Sequence, residues 1–262
     1  MSEYTVDTVK TADLEMKYTK FGKGNRVLVI LPGISFRPVS ATPEALAASF
    51  KDFIEDYTVY CLDRKENMPV PYSVEEMAED TVKALNELGL RKFNLYGASQ
   101  GGMIALYIAM KYPEMVRKLI VASSSAYMSE GAVEFFERIN GYLDEKNVRS
   151  MVRYCIGMIY TKEFCDAYME DLIKYYSDLN DYELKQFKAQ VSDESFYILD
   201  KLDKIKTRTL LIAAEGDRIF GISPTLQMAY KMGIECVIYD GYSHAVYDEA
   251  EDMRKRMLDF LA

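Results

Sequence analysis

The stretch Asn94-Leu95-Tyr96-Gly97-Ala98-Ser99-Gln100-Gly101-Gly102 decides how the rest of the chain is read. Residues 92–96 suit a strand, and Met103-Ile104-Ala105-Leu106 carry on from Gly102 in a pattern that suits a helix. The spacing therefore predicts a strand, a sharp turn centred on Ser99, and a helix starting at Gln100. Gly97 and Gly101 stand two residues either side of the serine, where a missing side chain lets strand and helix pack closely around a strained backbone. Such a turn presents a hydroxyl at the tip of a strand. Alone the Gly-x-Ser-x-Gly pattern is weak, since a chain of this length carries it by chance about one time in ten. Its weight comes from what surrounds it.

Upstream, residues 4–6 and 14–18 alternate with period two and predict an antiparallel pair turning at Thr11-Ala12-Asp13. Residues 26–31 form a continuous apolar run of the kind a strand buried on both faces produces, and the loop Pro32-Gly33-Ile34-Ser35-Phe36 follows. A helix is expected over 43–54 and a strand over 57–62, closing on Asp63-Arg64. Ser73 with Glu76 three residues on has the form of a capping box and starts a helix that stops at Gly89. Downstream, residues 117–122 read as another buried strand. From 126 to 200 only helical periodicity is found. Strand-helix alternation resumes at 208–214 and continues with a helix over 225–232, a strand over 235–239 and a last helix over 247–261. This rhythm predicts an α/β fold, a three-layer, doubly wound, mostly parallel sheet of eight strands with an inserted all-helical cap. The core is expected over 1–125 and 201–262, and the cap over 126–200. Ser123-Ser124-Ser125 reads as the exit loop into the cap.

Composition bounds the function. With 262 residues, 49% of them apolar, the chain can bury one large core. No run reaches the eighteen apolar residues of a membrane span, and Met1-Ser2-Glu3-Tyr4 lacks the layout of a secretory signal, so a cytoplasmic location is expected. A net charge of −9 argues against nucleic acid and anionic membranes as partners. Cys61, Cys155, Cys165 and Cys236 form no CxxC pair and read as buried, reduced thiols. With a single histidine in the chain, a metal site is disfavoured. The expected partner is a small-molecule substrate, with a homodimer left open.

A serine hydroxyl is a weak nucleophile until a base takes its proton, and imidazole is the usual base near neutral pH. The one candidate is His244, in the loop Gly241-Tyr242-Ser243-His244-Ala245 just past the last strand. Ser99 and His244 both fall beyond the carboxyl ends of predicted strands, where open parallel sheets collect functional groups. The base needs an acid to orient it. Asp217 is the first choice because it follows the 208–214 strand, with Glu215 and Asp240 as competitors. Asp248 reads as a cap of the last helix. An oxyanion would need two backbone N–H groups: Gln100, at the start of the elbow helix, and Ile34, after the 26–31 strand, are the best placed.

These residues resemble the α/β-hydrolase family over the whole chain outside the cap. The matching segments are Leu31-Pro32-Gly33 as oxyanion loop, Asp63-Arg64, the elbow around Ser99, Tyr112-Pro113-Glu114, Glu215-Gly216-Asp217 for the acid and Gly241-Tyr242-Ser243-His244 for the base. The resemblance implies the family's order of nucleophile, acid and base. Many members carry His-Gly where this chain has Pro32-Gly33, a change that keeps the Ile34 N–H. It also implies a serine hydrolase without cofactor, acting on a small uncharged or weakly polar ester or related acyl compound. Carbon–carbon bond hydrolysis, acyl transfer and cofactor-free perhydrolysis use the same triad and are the alternative. A non-catalytic ligand receptor on the same fold is the remaining one.

The segment 126–200 holds 9 of the 21 tyrosines and supplies −7 of the −9 net charge. An aromatic lining over Ser99 is expected from it, although each aromatic residue taken singly suits helix packing better. Strongly anionic substrates are disfavoured. Arg37, beside the oxyanion loop, reads as a surface residue able to meet one carboxylate.

Overall fold

The computed structural model describes residues 3–262; Met1 and Ser2, on which the reading of the N-terminus partly rests, lie outside the described residues. Strands β1 (Tyr4–Lys10), β2 (Glu15–Phe21), β3 (Arg26–Leu31), β4 (Tyr57–Lys65), β5 (Phe93–Ala98), β6 (Val116–Ala122), β7 (Arg208–Ala214) and β8 (Cys236–Tyr239) form a single sheet. Its order is β1-β2-β4-β3-β5-β6-β7-β8. The pairs β1·β2 and β2·β4 are antiparallel and all others are parallel. The sequence explains this division. β5 is buried at every position, as a central strand covered on both faces must be, whereas β1 exposes most of its residues at the sheet edge.

Among the described residues ten α-helices follow in chain order: α1 (Pro43–Ser49), α2 (Val74–Glu87), α3 (Gln100–Lys111), α4 (Glu130–Asp144), α5 (Val148–Ile159), α6 (Lys162–Tyr175), α7 (Asp181–Gln190), α8 (Ser223–Met232), α9 (Val246–Glu249) and α10 (Met253–Leu261). Alternate strand residues feed two cores. Leu95, Leu119, Val121 and Leu211 pack with Met77 of α2, Ile104 of α3 and Met228 of α8 on one face. Tyr96, Ile120, Ala122 and Ile212 pack with Ala47 of α1 and Met253, Met257 and Leu261 of α10 on the other. Each fully buried large aliphatic chain contributes about 1.5–3 kcal/mol, so the layers are held by the strand alternation itself.

The capping box of α2 is present: Ser73 Oγ accepts from the Glu76 N–H at 3.2 Å and Glu76 Oε2 accepts from the Ser73 N–H at 2.9 Å. Two expected helices are broken. The first ends at Ser49 and gives way to a 3₁₀ turn over Lys51–Phe53. That turn lets Phe50 and Phe53, three residues apart, bury on one side of the chain. The last splits at Ala250, which is extended, into α9 and α10. Asp248 is therefore inside the one-turn α9 and not a cap of the last helix.

Between β6 and β7 lie α4 to α7, packed around Phe135, Ile139, Met151, Cys155 and Phe187. The ends of this segment are drawn together by a bridge of Tyr127 with Tyr197, the only β pairing in a stretch read as purely helical. The Met128 N–H donates to the Phe196 carbonyl and the Ile198 N–H to that of Ala126. All four cysteines are free, but only Cys61 and Cys155 are fully buried; Cys165 and Cys236 are half-buried. Among the described residues no helix is long and apolar enough to cross a membrane.

Candidate active site

Ser99 sits between β5 and α3 with φ 52 and ψ −126, a conformation non-glycine residues avoid. Four hydrogen bonds hold it there: its N–H donates to Ala122 O at 2.9 Å, and its carbonyl accepts from the Gly102 N–H at 2.8 Å, the Met103 N–H at 3.3 Å and Ser124 Oγ at 2.7 Å. The glycines are required by space. A Cβ on Gly97 would stand 2.3 Å from Gly101 O, and one on Gly101 would stand 2.0 Å from Leu31 O. Ser123-Ser124-Ser125 is thus more than an exit loop. All three are buried, and Ser124 buttresses the elbow from behind.

Asp217 and His244 come together from the loops after β7 and β8. His244 Nδ1 lies 2.9 Å from Asp217 Oδ2, while Asp217 Oδ1 accepts from the N–H groups of Ile219 at 2.8 Å and Phe220 at 3.1 Å. The loops are stitched by Gly216 N–H to Tyr242 O at 3.0 Å and Ser243 Oγ to Gly216 O at 3.2 Å. Gly216 is fixed by this contact, since a Cβ there would meet Tyr242 O at 2.6 Å. Burial pushes the Asp217 carboxyl up, but the charge and hydrogen bond of His244 and the two backbone N–H groups outweigh it, leaving it below the ordinary value. The ionised acid accepts the Nδ1 proton, so Nε2 is the basic nitrogen. Glu215 and Asp240 instead line a separate groove that does not include Ser99 or His244.

Ser99, His244, Ile34 and Gln100 all line one narrow cavity. Gly33 brings the loop after β3 against the serine: a Cβ there would be 3.0 Å from Ser99 Cβ. The N–H groups of Ile34 and Gln100 have no protein acceptor among the described residues, and neither does the Ser99 hydroxyl have a hydrogen-bond partner. A family model described as the alpha/beta hydrolase fold matches residues 32–251, a span that contains every one of these groups. The chain belongs to the alpha/beta hydrolase fold family.

Curated relatives of this alpha/beta hydrolase include 3-oxoadipate enol-lactonase 2 of Acinetobacter baylyi, 26% identical over 129 residues, or 47% of each chain. The match thus spans about half the length of that relative. Another is the putative carbamate hydrolase RutD of Stutzerimonas stutzeri, 24% identical over 79% of this chain and 83% of that protein. Among solved structures, the alpha/beta hydrolase MGS-M2 from a Medee basin deep-sea metagenome library superposes with a TM-score of 0.87 over 97% of both chains at 22% identity, a likeness of fold. As a member of a family whose named relatives are hydrolases, the chain is an enzyme.

The hydrolase-fold site is braced by side chains that carry no local sequence signal. Arg64 Nη2 donates to Pro32 O at 2.9 Å and to Gln100 Oε1 at 3.3 Å. Burial pushes its guanidinium down to about 10. Gln100 Nε2 donates to Gln190 O at 2.5 Å, and Gln190 exchanges two hydrogen bonds with the backbone of Ser35 at 3.1 and 3.0 Å. The elbow, the loop after β3 and α7 are therefore one network. Arg37 is neither a free surface residue nor available to a ligand: it bonds Glu183 at 2.9 Å, Asp178 at 2.5 Å and Tyr175 O at 3.0 Å. The inserted helices reach the serine through Phe135, Phe136 and Ile159, while Tyr142 and Tyr154 pack within the insertion. Among the described residues no three His, Cys, Asp or Glu side chains are grouped as a metal site.

Proposed function

We propose that this enzyme is a serine hydrolase cleaving small uncharged or weakly polar esters or related acyl compounds, with no cofactor. The observation that carries the reading is the buried Asp217–His244 pair at 2.9 Å, opening with the elbow serine onto one cavity. Ser99 Oγ attacks the carbonyl carbon as His244 Nε2 takes its proton. The oxyanion of the tetrahedral intermediate is held by the N–H groups of Ile34 and Gln100, each worth about 2.7–4 kcal/mol in such sites. His244 returns the proton to the leaving oxygen, and an acyl-Ser99 ester remains. Water, deprotonated by the same nitrogen, then releases the acid and restores Ser99. General base catalysis of this kind contributes roughly 10²–10⁴ in rate.

Residues 126–200 act as a cap over the core formed by 1–125 and 201–262. The walls at Ser99 are Met103, Phe135, Phe136, Ile159, Ile219 and Phe220, which favour apolar acyl or alcohol groups. The cap's −7 charge repels strongly anionic compounds. Enol-lactones and carbamates, the compounds in the relatives' names, are acyl compounds within the proposed class. A fluorophosphonate probe is expected to label the wild-type protein stoichiometrically at Ser99 and to leave Ser99→Ala unlabelled. A folded wild type that resists labelling would sink the reading.

A further inference from the structure

The Ser99 cavity adjoins a larger one of about 700 Å3, and the two share Gly33, Ile34, Ile159 and Tyr247 in their walls. Tyr247 stands edge-on to the His244 ring, with centroids 6.0 Å apart, and forms part of the partition. Beyond it the larger cavity is walled by Tyr96, Tyr160, Tyr175 and Tyr176 and contains Asp248. About half of the Asp248 side-chain surface, 48%, is accessible.

Asp248 has no full-strength partner. Its Oδ1 is 4.0 Å from Arg254 Nη2 and its Oδ2 is 3.5 Å from the Tyr160 hydroxyl, both longer than ordinary hydrogen bonds. Arg254 is occupied elsewhere. Its Nε donates to Ser49 O at 3.2 Å and its guanidinium lies 4.1 Å from the Phe50 ring centroid. It therefore balances the charge of Asp248 without filling its acceptor sites. A carboxylate accepts at about four lone-pair positions, so Asp248 keeps acceptor sites open to a donor that enters the cavity. With the charge balanced, the group that completes the site is a neutral donor, and the tyrosine walls suit an aromatic ring.

We propose that the larger cavity is a subsite for a hydroxylated aromatic ring whose hydroxyl donates to Asp248. As a statement about substrate this rests on the hydrolase reading: the acyl or alcohol portion entering past Tyr247 would end in a phenol. As a statement about binding it stands alone. Ser99→Ala protein, which cannot turn over an ester, is titrated calorimetrically with 4-ethylphenol and with 4-ethylanisole, which keeps the ring and lacks the donor. The phenol is expected to bind about tenfold more tightly, and Asp248→Ala added to Ser99→Ala is expected to erase that preference. Equal affinity for the two compounds in the Ser99→Ala protein, or a preference that survives Asp248→Ala, overturns the proposal. The first comparison needs no change at Asp248, so it decides even if Asp248→Ala does not fold. Fluorophosphonate labelling separates the two ideas: a phenol preference without labelling removes the hydrolase and keeps the subsite, and labelling without a preference does the reverse.

Discussion

Ser99 is held in a conformation that costs about 1–3 kcal/mol, and hydrogen bonds to Ala122, Gly102, Met103 and Ser124 offset it. The strain points its hydroxyl at the cavity shared with His244. Asp217 is the residue on which the pair depends, because it holds the imidazole proton on Nδ1. Replacing it in Asp217→Asn is expected to lower kcat by on the order of 10⁴ against an ester while the fold survives. The same residue sets a pH signature. Its folded-state carboxyl lies below the unfolded value of 3.8, so the stability it contributes is complete above that value and is lost as pH falls through the folded one. Thermal melts from about pH 6 down to about pH 3 should show wild type and Asp217→Asn converging as acid is added. Parallel curves would mean that the carboxylate is not favoured by its partners.

Helix α2 shows how far an element is specified by its own residues. The Ser73 and Glu76 capping box satisfies two of its free N–H groups, and Met77, Ala78, Leu85 and their neighbours seat it on the sheet. Ser73→Ala should lower stability by about 1 kcal/mol in denaturant melts with ester turnover unchanged, since α2 contributes nothing to the cavity walls. A loss well above that would mean that Ser73 holds more than the helix end. Where tertiary packing competes, local periodicity loses. The break at Phe50 and the split at Ala250 both serve burial of side chains against the sheet.

At the scale of the molecule, the inserted helices are clamped to the loop after β3 by Arg37 and by Gln190. Arg37 and Glu183 are each less than one-fifth exposed, so their pair is shielded from solvent in a way the outer Asp178 contact is not. Arg37→Met is expected to cost about 1–2 kcal/mol of local stability. Hydrogen exchange should speed up in α6 and α7 and stay unchanged in β3, β5 and β6. Uniform exchange across the molecule would show that the clamp is part of the global core. Because Gln190 also touches Ser35 and Gln100, loosening α7 is transmitted to both proposed oxyanion donors.

The alternation of strands and helices, the elbow and the lone histidine are legible in the residues because each is a local pattern: apolar period, glycine spacing, a loop after a strand. The eight strands follow from that pattern, and so does membership in the hydrolase fold. Which carboxylate meets His244 is another matter. Glu215, Asp217 and Asp240 all stand near strand ends, and the choice depends on how two loops are stitched at Gly216 and Ser243. Arg64 with Gln100, Gln100 with Gln190 and Ser124 with Ser99 join residues 36, 90 and 25 positions apart. Arg37 and Asp248, read from sequence as a surface cation and a helix cap, prove to be a clamp and a cavity wall. A side chain's hydrogen-bond partner across the fold leaves no periodic trace in the chain, because its energy depends on a distance that exists only after the layers have packed.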